Sequence, residues 1–577
     1  LGFAGAELAA AILPPLVCVP AAAFLALLAF WKRRRDARIP LLGVLCGLAW
    51  FVLFALIFVQ PCRALAGQTV TCTAVVETDA EASYSDSRLR GTLRLTEING
   101  KPARLRVQCS SFPGESAGER FEASFALSSL PDNRYRLSRN SKGVYLQAEY
   151  LGSYRGLAAS KAPRFALFHL RQRWSAVLRR WLPKQLDGME AAMLLADKSR
   201  LEDAVQQAFR TAGVSHLLAV SGLHLALLCG LLGFGQRWRF YKPLILLRGA
   251  AALFYLLLTG APVSVLRAGL VLAVALAGEF LLQPVDLLTS TGFAAVLMGL
   301  QNAYAPCDIG FQLSFCAVLG VQAAAALTEA ERCAAAQGKS AALRLVCRLA
   351  EPVQVAALAS LATLPVLVAH GMSTSLVGIV CNVLVVWMLQ PALQMGILLL
   401  IFSAVPFLLP LVNLTGLALS LWLKAMLGIV ERCAALPFAS VYLPQRYTLF
   451  VLAVLGALAL YYWHGKGMRM YPIAALICTA AAVVMGIWMQ RDVVEINLVG
   501  ASNNPCVVCV QNGQAVVLFR GGESNLSAVE RYLAGRSRQK PALLVDLRAR
   551  PTALDFAAAE VVTMQAQPGF DTRTVLD

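Results

Sequence analysis

Long apolar runs recur along the chain, and they constrain its fold more than any other feature of the sequence. One run precedes the basic cluster Lys32–Arg35, a second extends from Leu41 to Val59, and others crowd the segment from Val214 to Met489. Each run is about 17–25 residues long, which is the length that an α-helix needs to cross a bilayer. We count about twelve runs, and they predict a polytopic α-helical membrane protein.

Composition agrees with this prediction. Of the 577 residues, 58% are hydrophobic and 15% are charged, and the mean hydropathy is +0.63, which is too apolar for a soluble protein of several domains. The first run is followed by basic residues and not by a small-residue cleavage site, so it is predicted to be a retained span. Most cysteines fall in apolar spans, but Cys62, Cys72 and Cys109 share a polar region. One disulfide among these three is an open alternative.

Residues 61–156 show a different pattern, in which short alternating segments are separated by Gly, Pro, Asn and Ser. The segments are Thr69–Val76, Gly91–Ile98, Ala103–Cys109 and Val144–Tyr150. Alternation of this kind predicts strands, and the region is therefore predicted to be a small β-barrel or sandwich.

Residues 490–577 form a tail that is predicted to be a small α/β unit. Its predicted elements are the strands Val493–Val499, Cys506–Gln511, Ala515–Phe519 and Ala542–Val545 and the helix Leu526–Leu533. Cys506 and Cys509 lie in one strand, where their side chains point to opposite faces. Core packing is therefore a better interpretation of this pair than redox chemistry.

A basic amphipathic helix is predicted within residues 157–186. Apolar side chains recur on one stripe of it, and most of the basic side chains lie off that stripe: Arg164, Arg171, Arg173, Arg179, Arg180 and Lys184. Residues 61–186 hold 20 Lys/Arg against 10 Asp/Glu, a large share of the formal net charge of +18. Two interpretations compete. Anionic lipid headgroups attract each basic residue by roughly 1 kcal/mol, and a nucleic acid is bound mainly through its phosphates.

Four basic loops indicate the orientation of the chain. Residues 32–38, 237–242, 328–351 and 466–469 fall on one side of the predicted spans, and the positive-inside rule makes that side cytoplasmic. The β-rich region, the basic helix and the tail are then predicted to lie outside the cytoplasm. An external basic surface favours a nucleic-acid partner.

Polar residues inside the apolar runs are candidates for function, because each is costly in lipid unless it is paired or faces water. Arg267 costs roughly 2.5–3.5 kcal/mol at the centre of a spanning helix. Ser264 lies on the same helical face, and Asp308 is predicted to fall at a similar depth, which makes it a candidate partner of Arg267. A packing ion pair without any substrate role is the alternative.

A second polar cluster lies at Ser215–His224, where Ser221 and His224 stand three residues apart. A catalytic Ser–His pair would need a third, orienting group, and no acidic residue is near in sequence. A metal site would need more ligands, and only His169, His370 and His464 remain. Polar lining of a pore or a break in a helix is favoured, with plain packing as the alternative. No catalytic residue, metal ligand or cofactor is predicted.

Taken in order, these segments resemble the ComEC family of competence proteins. The motifs are Ala196–Ser199, Phe209–His224, Gly260–Ala268, Gly310–Phe315, Ala362–Pro365 and Asn382. The resemblance implies two N-terminal spans in residues 1–60, an external OB-like domain in 61–156 and the basic helix in 157–186. It also implies a competence-type membrane domain in 187–489 and a tail similar to metallo-β-lactamases in 490–577.

The function implied by the resemblance is uptake of single-stranded DNA through the bacterial cell membrane during natural transformation. The residues implied to face the DNA path are His216, Ser221, His224, Ser264, Arg267, Asp308, Gln312, Ser314 and Asn382. The basic helix is implied to receive the DNA. A transporter or flippase for a smaller anion is the alternative function.

The tail departs from the family pattern. No His follows His464, and Arg520 stands where the family commonly has an Asp. The metal-nuclease motif of the family is therefore absent, the tail is predicted to be degenerate or truncated, and an enzymatic role stays open. The chain has no Walker-type phosphate-binding loop. A cytoplasmic ATPase or helicase and a separate DNA receptor are the implied partners, beside single-stranded DNA and the lipid bilayer.

Overall fold

The structure is a computed structural model with side chains. It describes residues 2–12, 35–77, 81–82, 89–112, 116–131, 134–160, 162–231, 242–336, 341–436, 439–441, 443, 447–452, 454–455, 481, 485, 494–500, 504–511, 514–535, 541–548, 558 and 560–563. Contacts divide the chain into two units. One comprises residues 1–206, 214–360 and 382–429, and the other comprises residues 207–213, 361–381 and 430–577.

A β-barrel forms the polar part of the first unit. Its strands are β1 (Thr69–Val76), β2 (Glu81–Ala82), β3 (Leu89–Ile98), β4 (Lys101–Phe112), β5 (Arg120–Ser129) and β6 (Val144–Leu157). The sheet order is β1-β5-β6-β4-β3-β2, and β1 also pairs with β3, which closes the sheet on itself. Among the described strands of this sheet, β4 and β6 pair in parallel and the other neighbours are antiparallel. The predicted barrel or sandwich is therefore a closed barrel.

Alternation along the strands fills the barrel. In β5 every second side chain is buried from Phe121 to Leu127, and Phe112, Phe121 and Phe125 are among the largest side chains of the core. The four predicted strands are present. The sequence analysis missed β5, and it ended β6 at Tyr150, because Gly152 and Ser153 interrupt the alternation with positive φ angles of 124° and 62°. The strand continues through this irregularity to Leu157.

Cys62 and Cys72 are free thiols in the structure, so a disulfide between these two is not formed there. Cys72 and Cys109 belong to the barrel core, and Cys62 packs against it. Burial raises the pKa of the Cys72 thiol to about 11, which keeps it neutral and inert at physiological pH.

The helices are numbered in chain order. They are α1 (Gly2–Ile12), α2 (Arg35–Phe54), α3 (Arg134–Asn140), α4 (Pro163–Trp181), α5 (Leu186–Leu195), α6 (Asp203–Thr211), α7 (Gly222–Leu231), α8 (Lys242–Leu258), α9 (Val263–Leu281), α10 (Leu287–Gln301), α11 (Ile309–Ala336), α12 (Ala341–Ala369), α13 (Gly378–Ser403), α14 (Leu409–Ala434) and α15 (Glu523–Gly535). A π-helical turn, Ala55–Val59, and a short helix, Gln60–Arg63, extend α2.

Six helical segments of the described residues are long and apolar enough to cross a membrane. They are Leu42–Arg63, Val263–Leu281, Ile309–Ala326, Glu351–Ala369, Gly378–Ser403 and Pro406–Ala434. The chain is therefore a membrane protein. The count of about twelve spans stays a prediction, because several of the predicted runs lie outside the described residues or fall on helices shorter than a full span, such as α10.

Helix α4 is the predicted basic amphipathic helix. Pro163 stands at its first position, where a missing N–H is tolerated. Its apolar stripe packs against protein: Leu178 is buried, and the ring of Trp174 lies 6.4 Å from that of Phe254 on α8. Of the basic side chains on the helix, Arg164, Arg173, Arg179 and Arg180 are exposed, and Lys184 is exposed three residues beyond its end. Arg171 is half-buried over the ring of Phe168.

The tail belongs to the second unit and contains a five-stranded sheet. Its order is β13 (Val561–Thr563), β12 (Leu543–Asp546), β11 (Gln514–Phe519), β10 (Cys506–Gln511) and β9 (Glu495–Val499). The predicted helix corresponds to α15. Cys506 is buried while Cys509 is only partly so, which confirms that the two thiols point to opposite faces. Short strands β7 (Thr374–Ser375) and β8 (Ser440–Val441) also pair within this unit.

Candidate functional site

The two polar motifs of the membrane domain meet where α7 and α9 pack together. Ser264 on α9 donates a hydrogen bond from its hydroxyl to the carbonyl of Val220, at 3.0 Å. Gly222 opens α7 at this contact, and a β-carbon there would lie 3.0 Å from the β-carbon of Ala268 and 3.6 Å from Nη2 of Arg267. A side chain at position 222 would crowd Ala268, so the glycine favours this close approach of the two helices.

His224 is oriented by the turn that precedes α7. Its Nδ1 accepts a hydrogen bond from the backbone N–H of Ser221 at 3.2 Å and lies 3.1 Å from the Ser221 hydroxyl. Because a backbone N–H can only donate, Nδ1 is an acceptor, and the neutral ring then carries its proton on Nε2. Nε2 is buried and has no hydrogen-bond partner among the described residues. Among the described residues, no carboxylate is hydrogen-bonded to this ring.

His224 lines a small cavity in the first unit. The cavity has room for about one water molecule, and its other lining residues are Leu194, Leu227, Leu228, Tyr255, Gln390, Leu393, Gln394 and Ile397. The Tyr255 hydroxyl donates to the carbonyl of Leu194 at 3.1 Å. The two glutamines are the polar side chains that α13 contributes, four residues apart and therefore on one face.

Arg267 is 8% exposed, and its Nε has no hydrogen-bond partner among the described residues. Its guanidinium carbon lies 5.6 Å from the centre of the Phe315 ring on α11, a cation–π contact. The candidate pair with Asp308 is not formed. Asp308 instead accepts a hydrogen bond from the backbone N–H of Phe311 at 3.0 Å and caps the N-terminus of α11.

The remaining predicted residues occupy different surroundings. Gln312 donates from Nε2 to the carbonyl of Pro306 at 2.9 Å, and Ser314 is half-buried two residues further along α11. His216 is exposed in the 3-10 turn before α7, and Asn382 is half-buried on α13. The structure thus brings Ser221, His224, Ser264 and Arg267 together, with α11 beside them.

One buried carboxyl group was not among the residues predicted from the sequence. Glu190 on α5 is fully buried, and neither of its carboxyl oxygens has a hydrogen-bond partner in the described part of the chain. It lies against Gly396 on α13, where any β-carbon would collide with it. An acidic residue in the apolar sequence Met189–Leu195, and two glutamines four apart in an apolar span, were the available signals.

The tail has a buried carboxylate at the end of β12. Asp546 is 1% exposed, and Arg548 binds it twice, through Nε to Oδ1 at 2.9 Å and through Nη2 to Oδ2 at 2.8 Å. No group of three or more His, Cys, Asp or Glu side chains that could hold a metal ion occurs among the residues that the structure describes.

Residues 193–467 match the family model described as Competence protein. All nine residues predicted to face the DNA path fall inside this range. The protein named ComE operon protein 3 of Bacillus subtilis (strain 168) is 30% identical over 251 residues, which are 42% of this chain and 30% of that relative. The chain thus spans less than a third of the relative it matches, and no solved structure matches it. Through this central segment, the chain is similar to the ComEC family of competence proteins, as its motifs predict.

Proposed function

We propose that this chain is a multi-pass channel of the bacterial cell membrane that takes up single-stranded DNA during natural transformation. The observation that carries the proposal is the placement of α4. This helix exposes four basic side chains, and its apolar stripe packs on α8. Helix α8 belongs to the same domain as the buried polar residues. A polyanion bound along α4 is therefore already beside the competence-type domain.

The barrel supports the same proposal. Five strands close into a barrel in the order β1-β5-β6-β4-β3, with β3 pairing back to β1. This order is compatible with an OB-like barrel. OB folds commonly bind single-stranded nucleic acid through basic grooves. In the proposed path, Ser221, His224, Ser264 and Arg267 form the central polar group, and Gln312, Ser314, His216, Asp308 and Asn382 extend it.

We do not propose a nuclease. The tail retains the proposed relationship to metallo-β-lactamases as a degenerate or truncated member, but its Asp546 is already neutralised by Arg548. A separate DNA receptor and a cytoplasmic ATPase or helicase complete the proposed machinery, because a chain without a phosphate-binding loop needs another source of nucleotide-driven motion.

The test is DNA internalisation in a naturally transformable host. A strain that lacks this gene and the same strain carrying a plasmid copy are given fluorescent DNA and then an external nuclease. We expect protected label only in the complemented strain, with similar surface-bound label in both. Equal amounts of protected label would refute the channel and leave the transporter of a smaller anion as the better explanation.

A further inference from the structure

One carboxylate in the first unit is surrounded by three arginines. Glu77 follows β1, and its side chain is 10% exposed. Arg94 on β3 donates to its Oε1 from Nε at 2.6 Å, and Arg106 on β4 lies 2.9 Å from Oε2 through Nε. Arg164 on α4 lies 3.4 Å from Oε1 through Nη1. Among the residues that the structure describes, three cations around this one anion leave a surplus of two positive charges.

The backbone forces this crowding. Arg94 and Arg106 are directly opposite each other in the β3–β4 register, and like charges in that position destabilise a sheet. The third arginine is fixed beside them because Phe165 is 3% exposed and packs on Gly118 of the barrel. Burial, followed by the charges of Arg94 and Arg106, lowers the pKa of Arg164 despite the opposing effect of Glu77. The two arginine charges thus act on Arg164 in addition to its burial.

The geometry leaves the arginines open to a second anion. The side chains of Arg94, Arg106 and Arg164 are 30%, 43% and 42% exposed, whereas Glu77 lies beneath them at 10%. A structural ion pair would need one arginine for one carboxylate. Guanidinium groups match the geometry of phosphate oxygens and bind them through paired N–H donors.

We propose that Arg94, Arg106 and Arg164 bind a backbone phosphate of the incoming DNA strand at the joint between the barrel and α4. This inference rests on the proposed function and names the first phosphate contact of that path. A strand is favoured over a lipid headgroup because the basic surface continues. The 19 residues of α4 extend about 28 Å, with exposed arginines along them, and at the far end the Trp181 carbonyl lies against Gly416 of α14.

The test uses the purified full chain in nanodiscs of zwitterionic lipid, with a fluorescent single-stranded oligonucleotide and anisotropy titrations at several salt concentrations. Arg106→Gln should weaken binding about tenfold at low salt and reduce the slope of log K against log salt by about 0.7. Arg155→Gln is the matched control, because Arg155 is also a barrel arginine. Its side chain is 79% exposed, and its Nη1 lies 4.0 Å from Oε2 of Glu122, a weak surface contact outside the cluster. It should leave both quantities nearly unchanged.

Arg106→Lys separates charge from folding. Lysine keeps the positive charge but lacks the forked pair of N–H donors. The slope of log K against log salt should therefore return to the wild-type value, while the affinity of the variant for DNA stays below that of the wild type. Equal slopes for Arg106→Gln and Arg155→Gln would show that the cluster is only structural. If Arg106→Gln instead lost binding to anionic-lipid vesicles and kept its DNA binding, the site would be assigned to a lipid headgroup and the inference would be overturned. Absence of DNA binding by the wild type would instead refute the DNA-receptor part of the proposed function.

Discussion

At the scale of single residues, the sequence could identify costly side chains but not their partners. Arg267 and Asp308 were both marked as polar residues in apolar surroundings, yet the acid caps its own helix and the arginine lies over Phe315. A local backbone N–H three residues away is a nearer partner than a side chain on another helix. Partner choice depends on how α9 and α11 pack, which no sequence spacing contains.

The buried guanidinium gives a prediction at the same scale. Arg267→Ala should reduce internalised DNA about tenfold, the loss expected from about 1.4 kcal/mol of a charged contact, while the amount of protein in the membrane stays near normal. Arg248 is the matched control, because it is a neighbouring arginine whose Nη1 pairs with Glu279 at 2.8 Å. Arg248→Ala should lower the protein level instead. If both variants lose protein and uptake in proportion, Arg267 is a packing residue.

At the scale of elements, alternation and helical spacing predicted most strands and helices of the barrel, α4 and the tail. Sequence patterns did not predict two features, the end of an irregular strand and the distance between packed helices. The bulge at Gly152 and Ser153 hid the end of β6, and the apolar runs do not show how closely two spans approach. Gly320 on α11 is such a case, since a β-carbon there would lie 2.5 Å from the Leu358 carbonyl and 2.8 Å from Cα of Ala359 on α12.

Gly320→Ala should therefore force α11 and α12 apart and destabilise the protein by about 1–3 kcal/mol, the usual range for overpacking. Gly292→Ala on α10 is the control, because a β-carbon there meets no atom within 4 Å, and it should leave stability unchanged or slightly raised. Thermal unfolding of the purified variants in detergent compares the two. Equal midpoints would mean that the backbones of α11 and α12 are not in close contact.

At the scale of the whole molecule, composition and apolar runs sufficed to predict a membrane protein, and the ordered motifs sufficed to predict the family. The division into two contact units was not foreseen, because residues 207–213 and 361–381 join the unit that contains the tail. Such grouping depends on contacts between segments far apart in the chain. Orientation across the membrane is a different kind of property, since it follows from the distribution of charge along the sequence and not from packing.

Orientation gives the last prediction. Short loops that are rich in Lys and Arg stay on the cytoplasmic side of the membrane. The four basic loops should therefore be cytoplasmic, and the barrel and the tail should be external. Reporter fusions can be placed after Lys142 in the barrel, Gly338 in a basic loop and Gln511 in the tail. A periplasmic-type phosphatase should be active at Lys142 and Gln511, and a fluorescent protein should fold only at Gly338. A cytoplasmic signal at Lys142 would place the arginine cluster on the wrong side to meet incoming DNA, and the barrel would then act after translocation or not at all.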